Sequence, residues 1–168
     1  MICAIATKTT GLKQGSHEVI ELTIKPFALE EVTYRVRPTR LDIYDEKAQA
    51  MNGISAIVAD GFPEKDSVAA MILSQWKEIT PIGHYFKFDY DMIRNTFGDK
   101  FVVELFGRNK PIDTAILAET ENVKRLERGQ VKLFGSLSLP KICAILEIEA
   151  DSKASRIEQV YKRLNNGI

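Results

Sequence analysis

The sequence predicts an α/β fold in which a mixed sheet of five strands is flanked by helices. A continuous apolar run, Ile2 to Ala6, is typical of a strand that is buried on both faces. Two later segments, Val19 to Ile24 and Val32 to Val36, alternate with polar residues and are joined by a turn near Pro26. After Pro38 helices alternate with strands. We therefore expect an antiparallel meander followed by α/β units.

The remaining elements follow from capping residues and from the spacing of apolar residues. The fourth and fifth strands are predicted at Ile79 to Gly83 and at Val102 to Phe106. Helices are predicted where a capping residue precedes apolar residues at helical spacing. They run from the Asp45 cap through Met51 to a stop at Asn52-Gly53, from Glu64 to Lys77, from Asp89 to Phe97, after Asp113, after Ser138 with Pro140 in the first turn, and along Ile157, Val160, Tyr161 and Leu164 to a stop at Asn165-Asn166-Gly167.

The composition is that of one globular domain without a strong overall electric field. The 168 residues, of which 45% are hydrophobic, are enough for one sizeable core, so we expect residues 1–168 to form a single domain. The 23 basic and 23 acidic residues cancel, so any contact with nucleic acid would need a local patch. Cys3 and Cys143 fit neither a zinc site nor a disulfide framework. We expect a cytoplasmic protein without a membrane partner, because no apolar run is long enough to span a bilayer.

Several short motifs occur in the order in which a known nuclease family has them. Ala6-Thr7-Lys8-Thr9-Thr10-Gly11-Leu12 resembles Asp-x-Glu-Thr-Thr-Gly-Leu, the first motif of the DnaQ-like (DEDD) 3′-5′ exonucleases. Met51-Asn52-Gly53-Ile54-Ser55 is similar to the family's (His/Asn)-Gly-Ile-(Ser/Thr) turn. His84-Tyr85-Phe86-Lys87-Phe88-Asp89 resembles the second motif, and Ile112-Asp113-Thr114 matches the segment after the fifth strand. The resemblance covers nearly the whole chain and implies an RNase H-like fold. Together with the apolar run at Ile2 to Ala6, it implies that the first strand lies in the middle of the sheet.

The resemblance also implies which residues would bind metal, and most of the acids are absent. Family members hold two divalent cations with four carboxylates, and Mg²⁺ needs such oxygen ligands. The matched positions carry Ala6, Lys8, Asp89 and Lys153, which changes their formal charge from −4 to +1. The family's general base is missing as well. We therefore expect Asp89 to be the residual catalytic residue of an inactive or impaired domain that holds no metal and no other cofactor.

Candidate contacts to nucleic acid are carried over from the same motifs. They are Thr9, Thr10, Gly11, Leu12, His84 and Phe86. In the family the backbone of the first motif cradles the terminal nucleotide and its Leu wedges against the base, although Leu12 could equally be a packing residue. A satisfied turn histidine is the alternative for His84, and Phe88 is expected in the core. We further expect Lys8, with or without Lys153, to place its ammonium beside Asp89.

Three functions remain open on the sequence alone. The first is an exonuclease-like domain that binds a nucleic-acid end or a protein partner of nucleic-acid processing. The second is a divergent active exonuclease that uses Asp89, Asp151 and Glu18 with Mn²⁺ or Mg²⁺. The third is a protein-interaction module that keeps the scaffold without affinity for nucleic acid; salt-dependent binding would count against it.

Overall fold

A computed structural model describes residues 1–166 and has a five-stranded mixed sheet at its centre. The order across the sheet is β3-β2-β1-β4-β5. The strands are β1 (Ile2–Thr9), β2 (Val19–Pro26), β3 (Val32–Arg35), β4 (Thr80–Gly83) and β5 (Ile112–Asp113). β1 pairs antiparallel with β2 and parallel with β4. The predicted mixed sheet, with the first strand in the middle, is therefore confirmed.

Helices cover both faces of this sheet. Within the described residues they are α1 (Glu46–Asn52), α2 (Ala56–Asp60), α3 (Lys65–Gln75), α4 (Phe86–Phe97), α5 (Asp99–Phe106), α6 (Thr114–Glu127), α7 (Leu139–Ile145) and α8 (Lys153–Asn165), with a 3-10 turn at Leu41–Ile43. The stop predicted at Asn165-Asn166-Gly167 agrees with the end of α8, but Gly167 lies outside the described residues. No helix in residues 1–166 is long and apolar enough to cross a membrane.

The apolar run of β1 belongs to two different cores because successive side chains of a strand point to opposite faces. Cys3 and Ile5 pack into the core beneath α3, α4 and α5. Ala4 and Ala6 face the opposite way, into a second core that contains Ile157 of α8. The two alanines are small, so α8 can pack closely over the middle of the sheet.

One predicted strand is wrong: Val102 to Phe106 belongs to helix α5, and the edge strand is the short β5 instead. The buried residues Phe101, Val102, Leu105 and Phe106 recur at helical spacing, and an apolar run of this length suits either a strand or a buried helix. Gly98 and Gly107, with φ of 88° and 60°, stand at the two ends of α5. Glycine suits both positions because a positive φ is difficult for other residues, and the two glycines mark where α5 begins and ends.

Two predicted helix caps form and one does not. The Asp45 carboxylate accepts from the N–H groups of Lys47 and Ala48, at 2.8 and 3.1 Å, and so caps α1. Asp113 caps α6 by accepting from Ala115 N at 2.9 Å. The Ser138 side chain makes no capping bond to α7. Ser152, which the sequence did not suggest as a cap, begins α8 by accepting from Ser155 N at 3.0 Å.

Candidate functional site

A cleft of about 550 Å³ lies over the open face of strands β1 to β3, beside the beginning of α8. Its floor consists of alternate strand residues, which share one face of the sheet. They are Ala6 and Lys8 of β1, Glu21 and Thr23 of β2, and Thr33 of β3. Asp151, Ser152, Lys153 and Ala154 form one wall. The lining is completed by Thr7, Thr9, Leu12, Glu31, Met51, Asn52 and Phe88. The cleft therefore contains three of the four positions matched to the family's metal-binding acids, namely Ala6, Lys8 and Lys153.

The fourth matched position, Asp89, lies in the first turn of α4 and is only 1% exposed. Its Oδ1 accepts from the Thr7 backbone N–H at 3.1 Å and from the Thr7 hydroxyl at 2.6 Å. The Lys153 ammonium lies 3.3 Å from the same oxygen. A buried carboxylate without partners would carry a large desolvation cost, so these three donors stabilise Asp89 in its buried position.

The prediction that Lys8 places its ammonium beside Asp89 is therefore wrong, and Lys153 makes this contact instead. The Lys8 ammonium lies 2.8 Å from Glu21 Oε2 and donates to the Asn52 carbonyl at 3.2 Å. Lys8 is adjacent on β1 to Thr7, which binds Asp89, but the Lys8 ammonium is engaged by Glu21 on the neighbouring strand. Lys8 and Glu21 are directly opposite each other in the β1–β2 register.

Carboxylates that the motif comparison did not identify also lie in the cleft. Glu21 is 7% exposed and meets Arg35 Nε at 3.2 Å as well as Lys8. Glu31 accepts from the hydroxyls of Ser152 and Ser155 at the beginning of α8. With the exposed Asp151, these acids at least balance Lys8 and Lys153. The net charge of +1 counted over the matched positions therefore does not describe the cleft as a whole.

The first motif is held together by its own hydrogen bonds. Thr9 Oγ1 donates to the Gly11 carbonyl at 2.8 Å, and Thr10 Oγ1 accepts from Glu18 N at 2.9 Å. A Cβ on Gly11 would lie 2.5 Å from the ring of His17, so this position has no room for a larger residue. Of the four residues predicted here to contact nucleic acid, Thr9 and Leu12 line the cleft, and Leu12 is 80% exposed.

The second motif contributes less to the cleft than the resemblance implies. Phe86 is 2% exposed and packs in the core, so the predicted contact of its ring with nucleic acid is corrected. His84 is buried, its Nδ1 is 2.9 Å from the Thr114 hydroxyl, and burial lowers the pKa of its imidazole. Phe88, expected in the core, both packs against it and lines the cleft.

The side chains do not fit two divalent cations. Ala6 has no donor atom, and the ammonium groups of Lys8 and Lys153 repel cations. Glu18, one acid of the active alternative, is bound away from the cleft by Thr39 N at 2.7 Å and Arg40 N at 3.2 Å. Throughout residues 1–166, no three His, Cys, Asp or Glu side chains are grouped where they could hold a metal.

Comparison with solved structures identifies similar folds. An SSB/exonuclease I structure with the inhibitor CFAM has a TM-score of 0.77 at 16% identity, covering 98% of this chain and 41% of that chain. Exonuclease X in complex with 5′ overhanging duplex DNA has a TM-score of 0.65 at 16% identity, covering 96% of this chain and 92% of that chain. This chain has their fold. The expected RNase H-like architecture is confirmed on these grounds.

An oligonucleotide complex of E. coli exonuclease I gives the same result, with a TM-score of 0.71 at 16% identity over 96% of this chain and 39% of that chain. This chain therefore spans less than half the length of the exonuclease I chains. No protein-family model matches it, and neither does any curated protein. At this identity the likeness concerns the fold, and the DnaQ-like motifs stay a resemblance.

Proposed function

We propose that this chain is a non-catalytic exonuclease-like domain that binds the end of a single-stranded nucleic acid in the cleft. The observation that carries the proposal is the Lys153 ammonium 3.3 Å from the buried Asp89 carboxylate. A cation that belongs to the chain stands where the resemblance would have a bound metal ion. Catalysis and end binding are thereby separated, since only catalysis requires the metal.

The absence of catalysis follows from what the hydrolysis needs. In two-metal nucleases one ion activates water and the other stabilises the leaving oxygen. Here a divalent ion at Asp89 would have to displace Lys153 and approach Lys8 across the same cleft. The domain on this proposal uses no metal and no other cofactor.

End binding is supported by the groups that remain available. An ammonium carries three hydrogen-bond donors, and Lys153 gives one to Asp89 while its side chain stays 43% exposed. The remaining donors can bind oxygens of a terminal nucleotide. Leu12 and Met51, 80% and 88% exposed, offer apolar surface beside them. Exonuclease I and exonuclease X, which share the fold, have solved complexes with an oligonucleotide and with duplex DNA.

The binding test compares two lysine variants. Fluorescein-labelled single-stranded DNA and RNA of about fifteen nucleotides are titrated at several salt concentrations, with the anisotropy as readout. We expect weak, salt-dependent binding, because Glu21 and Glu31 oppose an incoming phosphate. Lys153→Met should weaken binding several-fold, and Lys141→Met, an exposed lysine of α7 outside the cleft, should not. Binding that is absent, or equal in both variants, contradicts end binding and favours the protein-interaction module.

The hydrolysis test separates the proposal from a divergent active exonuclease. Purified protein is incubated with 3′-labelled single-stranded DNA and RNA and millimolar Mg²⁺ or Mn²⁺. We expect no release of label above the Asp89→Ala control. Degradation that Asp89→Ala abolishes would establish the active alternative, for which Asp151 in the cleft wall is the nearest additional ligand.

A further inference from the structure

Glu31 differs from the neighbouring carboxylates because its position is fixed without a cation. Glu21 in the cleft and the nearby Asp89 each contact a lysine ammonium, at 2.8 and 3.3 Å. Glu31 also lines the cleft but makes no ion pair in residues 1–166; the hydroxyls of Ser152 and Ser155 donate to it instead. Its negative charge is therefore held in place without being neutralised.

Only one oxygen of the Glu31 carboxylate has partners. Both serine hydroxyls donate to Oε2, and no hydrogen bond within the described part of the chain involves Oε1. An ionised carboxylate can accept about four hydrogen bonds, and those that it accepts are stronger than bonds between neutral groups. Oε1 is therefore a strong acceptor that a ligand in the cleft can use.

The position of Glu31 follows from the two elements beside it. It directly precedes β3, and alternate residues of an extended chain share a face, so Glu31 and Thr33 both line the cleft. Its partner Ser152 is the N-cap of α8, and Lys153 is the first residue of that helix. The Glu31 carboxylate and the Lys153 side chain therefore border the same part of the cleft.

The two side chains suit different parts of a terminal nucleotide. Phosphate oxygens are negatively charged acceptors, so the Lys153 ammonium attracts them and the Glu31 carboxylate repels them. A ribose 2′-hydroxyl can donate a hydrogen bond, and proteins use this group to distinguish RNA from DNA. Acidic residues accept from a ribose 2′-hydroxyl in this way in dinucleotide-binding folds. Glu31 therefore suits the sugar of a ribonucleotide.

We propose that the cleft recognises the end of an RNA strand, with Glu31 Oε1 accepting a hydrogen bond from the 2′-hydroxyl of the terminal ribose. This inference rests on the proposed function, because it names the class of nucleic acid whose end the cleft binds. A terminal deoxynucleotide lacks the donor and leaves the carboxylate facing the ligand without a compensating bond. Glu31 thus determines specificity for RNA, whereas Lys153 contributes to the affinity for RNA and DNA alike.

The test uses three fluorescein-labelled oligouridylates of about fifteen nucleotides that differ in a single sugar. The first contains only ribose, the second has 2′-deoxyuridine at its 3′ terminus, and the third has it at its 5′ terminus. All three carry the same number of phosphates, and uracil has no amino group that could donate to Glu31 instead. We expect the 3′-terminal deoxyribose to weaken binding, measured by anisotropy, roughly tenfold and the 5′-terminal deoxyribose to leave it unchanged.

Variants of the protein assign the preference to one residue. Glu31→Gln keeps the shape of the side chain and removes its charge, so the tenfold preference should fall to about twofold or less. Glu30→Gln is the matched control, because Glu30 is exposed next to Glu31 and does not line the cleft. Lys153→Met should weaken the binding of all three oligonucleotides by a similar factor and keep the preference. Circular dichroism checks that each variant is folded.

The outcomes separate this inference from the proposed function. Equal binding of the oligonucleotides with ribose and with deoxyribose at the 3′ terminus overturns the inference and leaves end binding in place. A preference for ribose that persists in Glu31→Gln also overturns it, because another group would then bind the hydroxyl. If the unmodified protein binds none of the three oligonucleotides, the inference and the proposed function both fail.

Discussion

Replacing Lys153 with Met should destabilise the fold, because it removes the cation from a buried carboxylate. Asp89 is 1% exposed and its Oδ1 has three donors, two of them from Thr7. Met keeps most of the length and apolar volume of the lysine side chain. The change therefore removes mainly the charge, and the Thr7 bonds stay in place.

The magnitude lies between two limits. Breaking a fully buried ion pair costs about 3 to 5 kcal/mol, whereas an exposed pair contributes about 0 to 1 kcal/mol. The Lys153 side chain is 43% exposed, so solvent screens part of the interaction. The Thr7 N–H and hydroxyl also continue to stabilise the carboxylate. We expect Lys153→Met to lower the free energy of unfolding by about 1 to 2 kcal/mol.

A double-mutant cycle measures the pair directly. Asp89→Asn keeps an acceptor for Thr7 and removes the charge, so Lys153→Met should cost less in that background, with a coupling energy of about 1 kcal/mol. Lys8 is the matched control, because its side chain is also 43% exposed and its partner is Glu21. Urea unfolding followed by circular dichroism gives each free energy. A Lys8–Asp89 coupling as large as that of Lys153–Asp89 would refute the geometry argued here.

Three further predictions concern stability. Burial lowers the pKa of His84, so the unfolded chain takes up its proton first and the free energy of unfolding should fall as the pH drops below about 6.5. His84→Gln should make the free energy of unfolding less dependent on pH between about 7.5 and 5.5. The control variant His17→Gln, which changes the other histidine, should keep the pH dependence of the unmodified protein. Gly83→Ala places a Cβ 2.5 to 2.9 Å from atoms of the Phe86 side chain and should lower the free energy of unfolding by about 1 to 3 kcal/mol. Gly135→Ala is the control, because its Cβ would meet nothing within 4 Å. Equal unfolding midpoints of the two variants would contradict the close packing at Gly83. Addition of Mg²⁺ or of a chelator should leave the melting temperature unchanged. An increase with Mg²⁺ would show that the folded state binds the ion and would contradict the prediction.

The parts of the fold that could be predicted are those with a clear period. The continuous apolar run of β1 and the alternation of β2 and β3 indicated three consecutive strands, whereas the central place of β1 in the sheet was predicted with the help of the family resemblance. The segment Val102 to Phe106 was ambiguous because a continuous apolar run fits both a buried strand and a buried helix. β5 is only two residues long, Ile112–Asp113, which is too short to show any alternation.

The candidate site could be predicted only in part. Motif positions correctly brought Asp89 and Lys153 together, although they are far apart in the sequence. The error over Lys8 arose because its ammonium pairs with Glu21, which is not one of the four matched metal-binding positions. The partner of Lys8 was not predictable in the same way, because the register that places Glu21 opposite it depends on the path of the connection between β1 and β2.

The cleft differs from a metal-binding cleft chiefly in where its positive charge comes from. A metal ion is bound from solution, so both its occupancy and the stability it confers depend on concentration. The Lys153 ammonium is part of α8 and is present whenever that helix is folded against Asp89. Lys8 likewise neutralises Glu21 across two paired strands. Each of these carboxylates is thus stabilised by a cationic side chain from a neighbouring element of the chain itself.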